Sequence, residues 1–133
     1  MARVHREVSS HRDADDVWAT IGDFYAIHTW CPWVKATVRD ASRPNTRIVT
    51  LASDSQATEE LLEERPGSLR YRVLDQTGTM LDYEGVLAVA PDPGGHGSII
   101  TWDATFQCDP AIEETLVHSV ESSFEQGLAA LVD

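Results

Sequence analysis

The 133-residue chain has no window approaching the roughly 20 apolar residues that a bilayer-spanning helix needs. No apolar run follows the charges of Met-Ala-Arg-Val-His-Arg-Glu at its start, so a secretory signal is not expected and a cytoplasmic location is. Basic residues are scarce: ten Lys and Arg against 22 Asp and Glu leave a net charge of −12. Nucleic acid and anionic membrane surfaces are recognised through clustered Lys and Arg, so neither is an expected partner. There are two cysteines, Cys31 and Cys108, far apart and in no CxxC pattern, which favours two free thiols over a disulfide. The one glycine-rich stretch, Gly94-Gly95-His96-Gly97, reads as a hairpin between strands and precedes no helix, so it is no phosphate loop. His28 and Cys31 lack further ligands at suitable spacing, and His5, His11, His96 and His118 are scattered. Neither a metal nor a cofactor is expected on these grounds. Nothing marks an activated serine.

What remains has the composition of one soluble globular domain over residues 1–133: 42% hydrophobic and 24% charged, with length enough for a core. Its densest feature is Gly-Asp-Phe-Tyr-Ala-Ile-His-Thr-Trp-Cys-Pro-Trp-Val at 22–34. Phe24, Tyr25, Trp30 and Trp33 crowd there around a helix that Pro32 must break. Aromatics bury much apolar surface and carry polar handles, so this cluster suits either the wall of a ligand cavity or the plug of a core.

The order of elements follows from periodicity. Residues 3–10 suit a first strand. Asp13 is placed to cap a short helix over 14–21, with Asp15 and Asp16 in its first turn, Val17 and Ile21 as its apolar stripe and Gly22 at its end. A second short helix runs from about 23 to 30. From Val34 the period becomes two, and six strands follow: 34–39, 48–52, 57–64, 69–74, 81–90 and 98–108. Breakers separate most of them at Ser42-Arg43-Pro44-Asn45, Pro66-Gly67, Thr77-Gly78 and Pro91-Asp92-Pro93-Gly94-Gly95. From Pro110, the residues Ile112, Leu116, Val120, Phe124 and Leu128 recur every four positions, a helix of roughly 30 Å. The economical packing is α+β: a curved antiparallel sheet of about seven strands around a long C-terminal helix, with a cavity where the helix leaves the concave face unfilled.

This order resembles the helix-grip fold of the SRPBCC superfamily, with its START-type carriers, and within it the polyketide cyclase/dehydrase-like branch. Three stretches carry the resemblance: Ala14-Asp15-Asp16-Val17-Trp18 with Ile21-Gly22-Asp23-Phe24 and Trp30; residues 59–62 with Leu69-Arg70-Tyr71-Arg72-Val73; and Asp82-Tyr83 with Trp102-Asp103-Ala104-Thr105-Phe106. None is a catalytic signature, and fold alone does not decide between enzymes and binders.

Alternation turns Trp102, Ala104 and Phe106 to one face, Tyr83 with Gly85 and Leu87, and Tyr71 with Leu69 and Val73. Tyr71 and Tyr83 then point inward, with hydroxyls that need partners. Phe24, Trp30, Trp33, Trp102, Phe106 and Phe124 are the candidate cavity wall. Glu59 groups with Leu61 and Glu63, and Glu60 with Leu62 and Glu64, so both faces are half polar and the register stays open. The resemblance favours Glu59 as the inward acid. In an apolar cavity such a carboxylate would resist ionisation and suit acid–base work. His28, beside the aromatic cluster, is the other candidate proton carrier.

Two functions follow. One is a cofactor-independent cyclase/dehydratase-like enzyme performing aldol-type closure, dehydration or isomerisation on a hydrophobic small molecule, with Glu59 or His28 moving the proton and Tyr71 and Tyr83 donating hydrogen bonds. The alternative is a non-catalytic carrier or sensor of such a molecule. Either a monomer or a homodimer is compatible with the sequence.

Overall fold

The computed structural model describes residues 1–74 and 79–132. The expected break at Thr77-Gly78 lies outside the described residues. Strand β1 (Ala2–Ser10) leads into helix α1 (Ala14–Ile21) and a 3-10 segment (Phe24–Thr29). Six strands follow: β2 (Val34–Arg39), β3 (Thr46–Leu51), β4 (Gln56–Arg65), β5 (Ser68–Leu74), β6 (Leu81–Pro91) and β7 (Ser98–Gln107). Helix α2 (Glu113–Ala129) closes the fold. The strands form one antiparallel sheet in the order β1-β7-β6-β5-β4-β3-β2. This is the helix-grip α+β arrangement expected from the sequence.

Several elements differ locally from that expectation. Asp13 occupies the N-cap of α1 in extended conformation, yet its side chain makes no capping bond. The second helix is 3-10 and kinked at Ala26, where φ is −123°. Asp23 starts it by accepting a bond from the Tyr25 amide at 2.9 Å. Helix α2 begins at Glu113, three residues after Pro110. The Asp109 carboxylate accepts from the Ala111 amide at 2.9 Å and its carbonyl from the Ile112 amide at 3.0 Å, closing a separate turn. The 17 residues of α2 span about 25 Å, shorter than the sequence suggests.

The core lies between the concave sheet face and α2. Trp102, Phe106, Phe124, Ile100 and Leu128 are among its largest enclosed side chains, and alternation along β6 and β7 places every second residue there. Helix α2 packs on β1 and β7, at one side of the sheet. Arg6 on β1 holds it there through Glu121 at 2.8 Å and Glu125 at 2.9 Å. That seat leaves the concave face of β4, β5 and β6 only partly covered.

Candidate ligand-binding site

A cavity of about 250 Å³ occupies this space. Its lining comes from β4 (Ala57, Glu59), β5 (Tyr71, Val73) and β6 (Tyr83), from Met80 and Trp33, and from Ser119, Val120, Ser123 and Phe124 of α2. A separate polar depression of about 400 Å³ at the ends of β5 and β6 shares only Val73 and Tyr83 with it.

Glu59 is inward and Glu60 outward. A bulge between Leu61 and Glu63 explains why both faces of β4 read as half polar: Leu62 is the extra residue, and alternation inverts after it. Glu60 accordingly meets Arg72 on the convex face at 2.8 Å. Glu59 faces Arg47 directly across the β3–β4 pair. Arg47 Nε donates to Glu59 Oε1 at 2.8 Å, and Nη2 makes an ion-pair contact with the same oxygen at 2.6 Å. Arg47 Nη1 donates to the Phe24 carbonyl at 2.6 Å, and the guanidinium lies 3.9 Å over the Phe24 ring. Side-chain exposure is 4% for Arg47 and 14% for Glu59. Glu59 is therefore not the isolated carboxylate pictured from the sequence, because a buried cation faces it. Among the described residues no hydrogen bond reaches its Oε2.

Arg47 is the residue that sequence reasoning missed, since β3 was expected to begin at Ile48. Its signal was present: Arg47, Val49 and Leu51 share one face, and an antiparallel partner strand holds an inward acid twelve residues later.

Tyr71 and Tyr83 sit side by side on the cavity wall. Trp102 Nε1 donates to the Tyr71 hydroxyl at 3.0 Å, and the Tyr71 and Tyr83 hydroxyls also interact. Burial, with the Glu59 charge adding to it, pushes the Tyr71 phenol above its ordinary range. Burial and the neighbouring Tyr71 do the same for Tyr83. Both stay protonated at neutral pH and serve as hydrogen-bonding groups. Gly85 makes room for this pair, since a Cβ there would collide with the Tyr71 ring.

The aromatic candidates divide. Trp33 and Phe124 line the cavity. Trp33 is fixed by its indole N–H, which donates to the Ser123 carbonyl at 2.8 Å. Trp102 stands behind them, stacked on Phe124 at 4.3 Å and on Trp33 at 5.9 Å. Phe106 and Trp102 are enclosed core rather than wall, and Phe24 carries Arg47. Trp30 packs on Trp102 at 5.7 Å, and its buried indole N–H has no acceptor among the described residues. His28 is exposed and bonds Thr37 Oγ1 at 3.0 Å, away from the cavity lining. His28 stays next to the aromatics in sequence, but the 3-10 segment, kinked at Ala26, leaves its side chain exposed. Both cysteines are free, and burial pushes the Cys31 thiol up to about 12.

A curved antiparallel sheet gripping one long helix over a lined cavity defines an SRPBCC-type helix-grip domain. The chain belongs to the family described as polyketide cyclase / dehydrase and lipid transport, whose model matches residues 1–133. No curated protein matches it. Among solved structures it is similar to the protein XoxI from Bacillus cereus, at 18% identity over 99% of this chain and 94% of that one, with a TM-score of 0.91. A Thermobifida fusca protein solved by NMR is 29% identical over 99% and 91% of the two chains, with a TM-score of 0.85. The di-domain ARO/CYC StfQ from the steffimycin biosynthetic pathway is 11% identical, with a TM-score of 0.76. That match covers 98% of this chain and 49% of StfQ. At 18% and 11% the likeness is one of fold. Among the described residues no helix is long and apolar enough to cross a membrane.

Proposed function

We propose that the protein binds a small, largely apolar molecule in the cavity between α2 and strands β4–β6. The observation that carries this reading is the make-up of the wall. Trp33, Val73, Met80, Val120 and Phe124 supply apolar surface, and Glu59, Tyr71 and Tyr83 supply convergent polar groups at the sheet. An apolar lining with a few placed polar groups is the usual composition of a small-molecule site. The volume falls just below the roughly 300–1,000 Å³ typical of drug-sized ligands, which points to an occupant of about one or two rings.

A second reading is catalysis of the cyclase/dehydratase kind, supported by the family and by the ARO/CYC likeness. Glu59 is the one carboxylate among the described lining residues, and among the described residues no hydrogen bond engages its Oε2. It would take the proton from a carbon next to a carbonyl, while Tyr71 or Tyr83 donates a hydrogen bond to the carbonyl oxygen as the enolate forms. Such acid–base help contributes roughly 10²–10⁴-fold.

Native mass spectrometry of freshly purified protein tests the binding reading. A small-molecule adduct released on denaturation is expected, and a preparation that neither carries nor takes up any apolar compound contradicts it. The two readings separate on the Glu59→Gln variant. Turnover lost with binding kept identifies an enzyme, whereas a bound compound that the unmodified protein leaves unchanged identifies a carrier or sensor.

A further inference from the structure

We infer that the cavity selects ligands that present a hydroxyl or N–H donor and rejects ligands with an anionic head, and that Arg47 sets this preference without facing the ligand. The inference rests on the ligand-binding reading above and names the chemistry of that same site.

Among the described residues, the side-chain polar groups at the wall include one carboxylate, two phenols and two serines, with no Lys, Arg or His. The nearby cation is turned away. Arg47 directs Nε and Nη2 to Glu59 Oε1 and Nη1 to the Phe24 carbonyl, with its plane against the Phe24 ring. Its charge is thus engaged by Glu59 and Phe24, and Arg47 is not among the described residues that line the cavity, although its guanidinium lies 5.3 Å from the centre of the Tyr71 ring. Oε1 is already engaged by Nε and Nη2, whereas Oε2 takes no hydrogen bond among the described residues.

A carboxylate oxygen only accepts hydrogen bonds, so the ligand group that meets Oε2 has to donate one. A carboxylate or phosphate head would meet Oε2 as like charge against like, with the Arg47 donors already directed to Oε1 and the Phe24 carbonyl, a mismatch that works against binding. An ether or hydrocarbon would leave Oε2 facing an apolar group. Arg47 is a positioning residue in this scheme: by clamping Oε1 it leaves Oε2 as the face shown to the ligand. Lysine would keep the positive charge but has no rigid fork with which to hold that geometry.

The experiment is an NMR titration of the full chain at pH 7 with 4-ethylphenol, 4-ethylanisole and 4-ethylbenzoate, three probes of one ring that differ in the head group. The phenol is expected to bind about tenfold or more tightly than the anisole, in line with a charge-assisted hydrogen bond, and the benzoate more weakly than the anisole. Equal affinities, or a benzoate that binds best, overturn the inference and leave the cavity reading standing. If none of the three binds, the cavity reading fails and the inference with it. In Glu59→Gln the benzoate penalty is expected to vanish and the phenol preference to shrink. If that variant does not fold, the ranking on the unmodified protein still decides. Arg47→Lys, assayed where its spectrum shows the native fold, is expected to lose most of the phenol preference. An unchanged preference there removes Arg47 from the scheme.

Discussion

At the scale of single residues, the Arg47–Glu59 pair carries the most energy at risk. Its partners are nearly enclosed, and taking one away leaves the other's charge buried. Breaking such a pair typically costs about 3–5 kcal/mol, whereas replacing both members with apolar groups is often neutral. Arg47→Met is therefore expected to lower unfolding stability by about 3 kcal/mol in urea titration, and Arg47→Met/Glu59→Leu to recover most of it. The two buried indoles offer a paired test. Trp102 Nε1 has Tyr71 as acceptor, while Trp30 Nε1 has none among the described residues. Trp102→Phe removes a made hydrogen bond and Trp30→Phe removes a buried orphan, so the former should cost about 1–3 kcal/mol more. On the convex face, hydrogen bonds that the His5 ring donates to the carboxylates of Glu7 and then Asp103 raise its pKa above the ordinary 6.5. The resulting stabilisation is fully present below about 6.5 and is lost as pH climbs through the raised folded value. His5→Gln should flatten that decline in urea midpoint, and an unchanged decline would assign it to other groups.

At the scale of elements, two departures from simple patterning built the site. The bulge in β4 turns Glu59 inward while sending Glu63 to the convex face, where its backbone partner is Arg70. Strict alternation cannot show such a shift, so the sequence left Glu59 and Glu60 undecided. Strand β3 starts at Thr46, two residues before the apolar run that marks it, and this is why Arg47 escaped notice. By contrast, β7 and the part of β6 from Tyr83 onward alternate in burial, the β6 register shift falling between Leu81 and Glu84, and Tyr83, Trp102 and Phe106 face where alternation puts them. Helix α2 was legible from its four-residue apolar repeat, but its start was not, since the Asp109 turn competes with the Pro110 signal. Gly127 lies on its buried face, where a Cβ would stand 2.8 Å from Trp102 Cζ3. Alanine gains about 1 kcal/mol in helix propensity there, yet overpacking against the indole costs typically 1–3 kcal/mol. Gly127→Ala should therefore be destabilising on balance and should alter the tryptophan fluorescence. A stabilised variant with unchanged fluorescence would mean that α2 is not seated against Trp102 as described.

At the scale of the whole molecule, the cavity exists because one helix cannot cover a seven-stranded concave face. Arg6 and its two glutamates hold α2 over β1 and β7, so the space opens toward β4–β6. The aromatic segment after α1 does not wall that space as a block. Only Trp33 reaches it, while Phe24 supports Arg47 and Trp30 supports Trp102. The segment still matters to the site, because the Phe24 carbonyl fixes the guanidinium that fixes Glu59. The central claim, a ligand cavity between α2 and β4–β6, is tested most directly by the four tryptophan indole N–H signals in an NMR titration with 4-ethylphenol. Trp33 lines the cavity and Trp102 stacks on it, whereas Trp18 lies apart beside Pro66 and Gly67. Saturable shifts of the Trp33 and Trp102 indoles with Trp18 unmoved are expected. Shifts confined to Trp18, or none at all up to probe saturation, would contradict the cavity as the binding site.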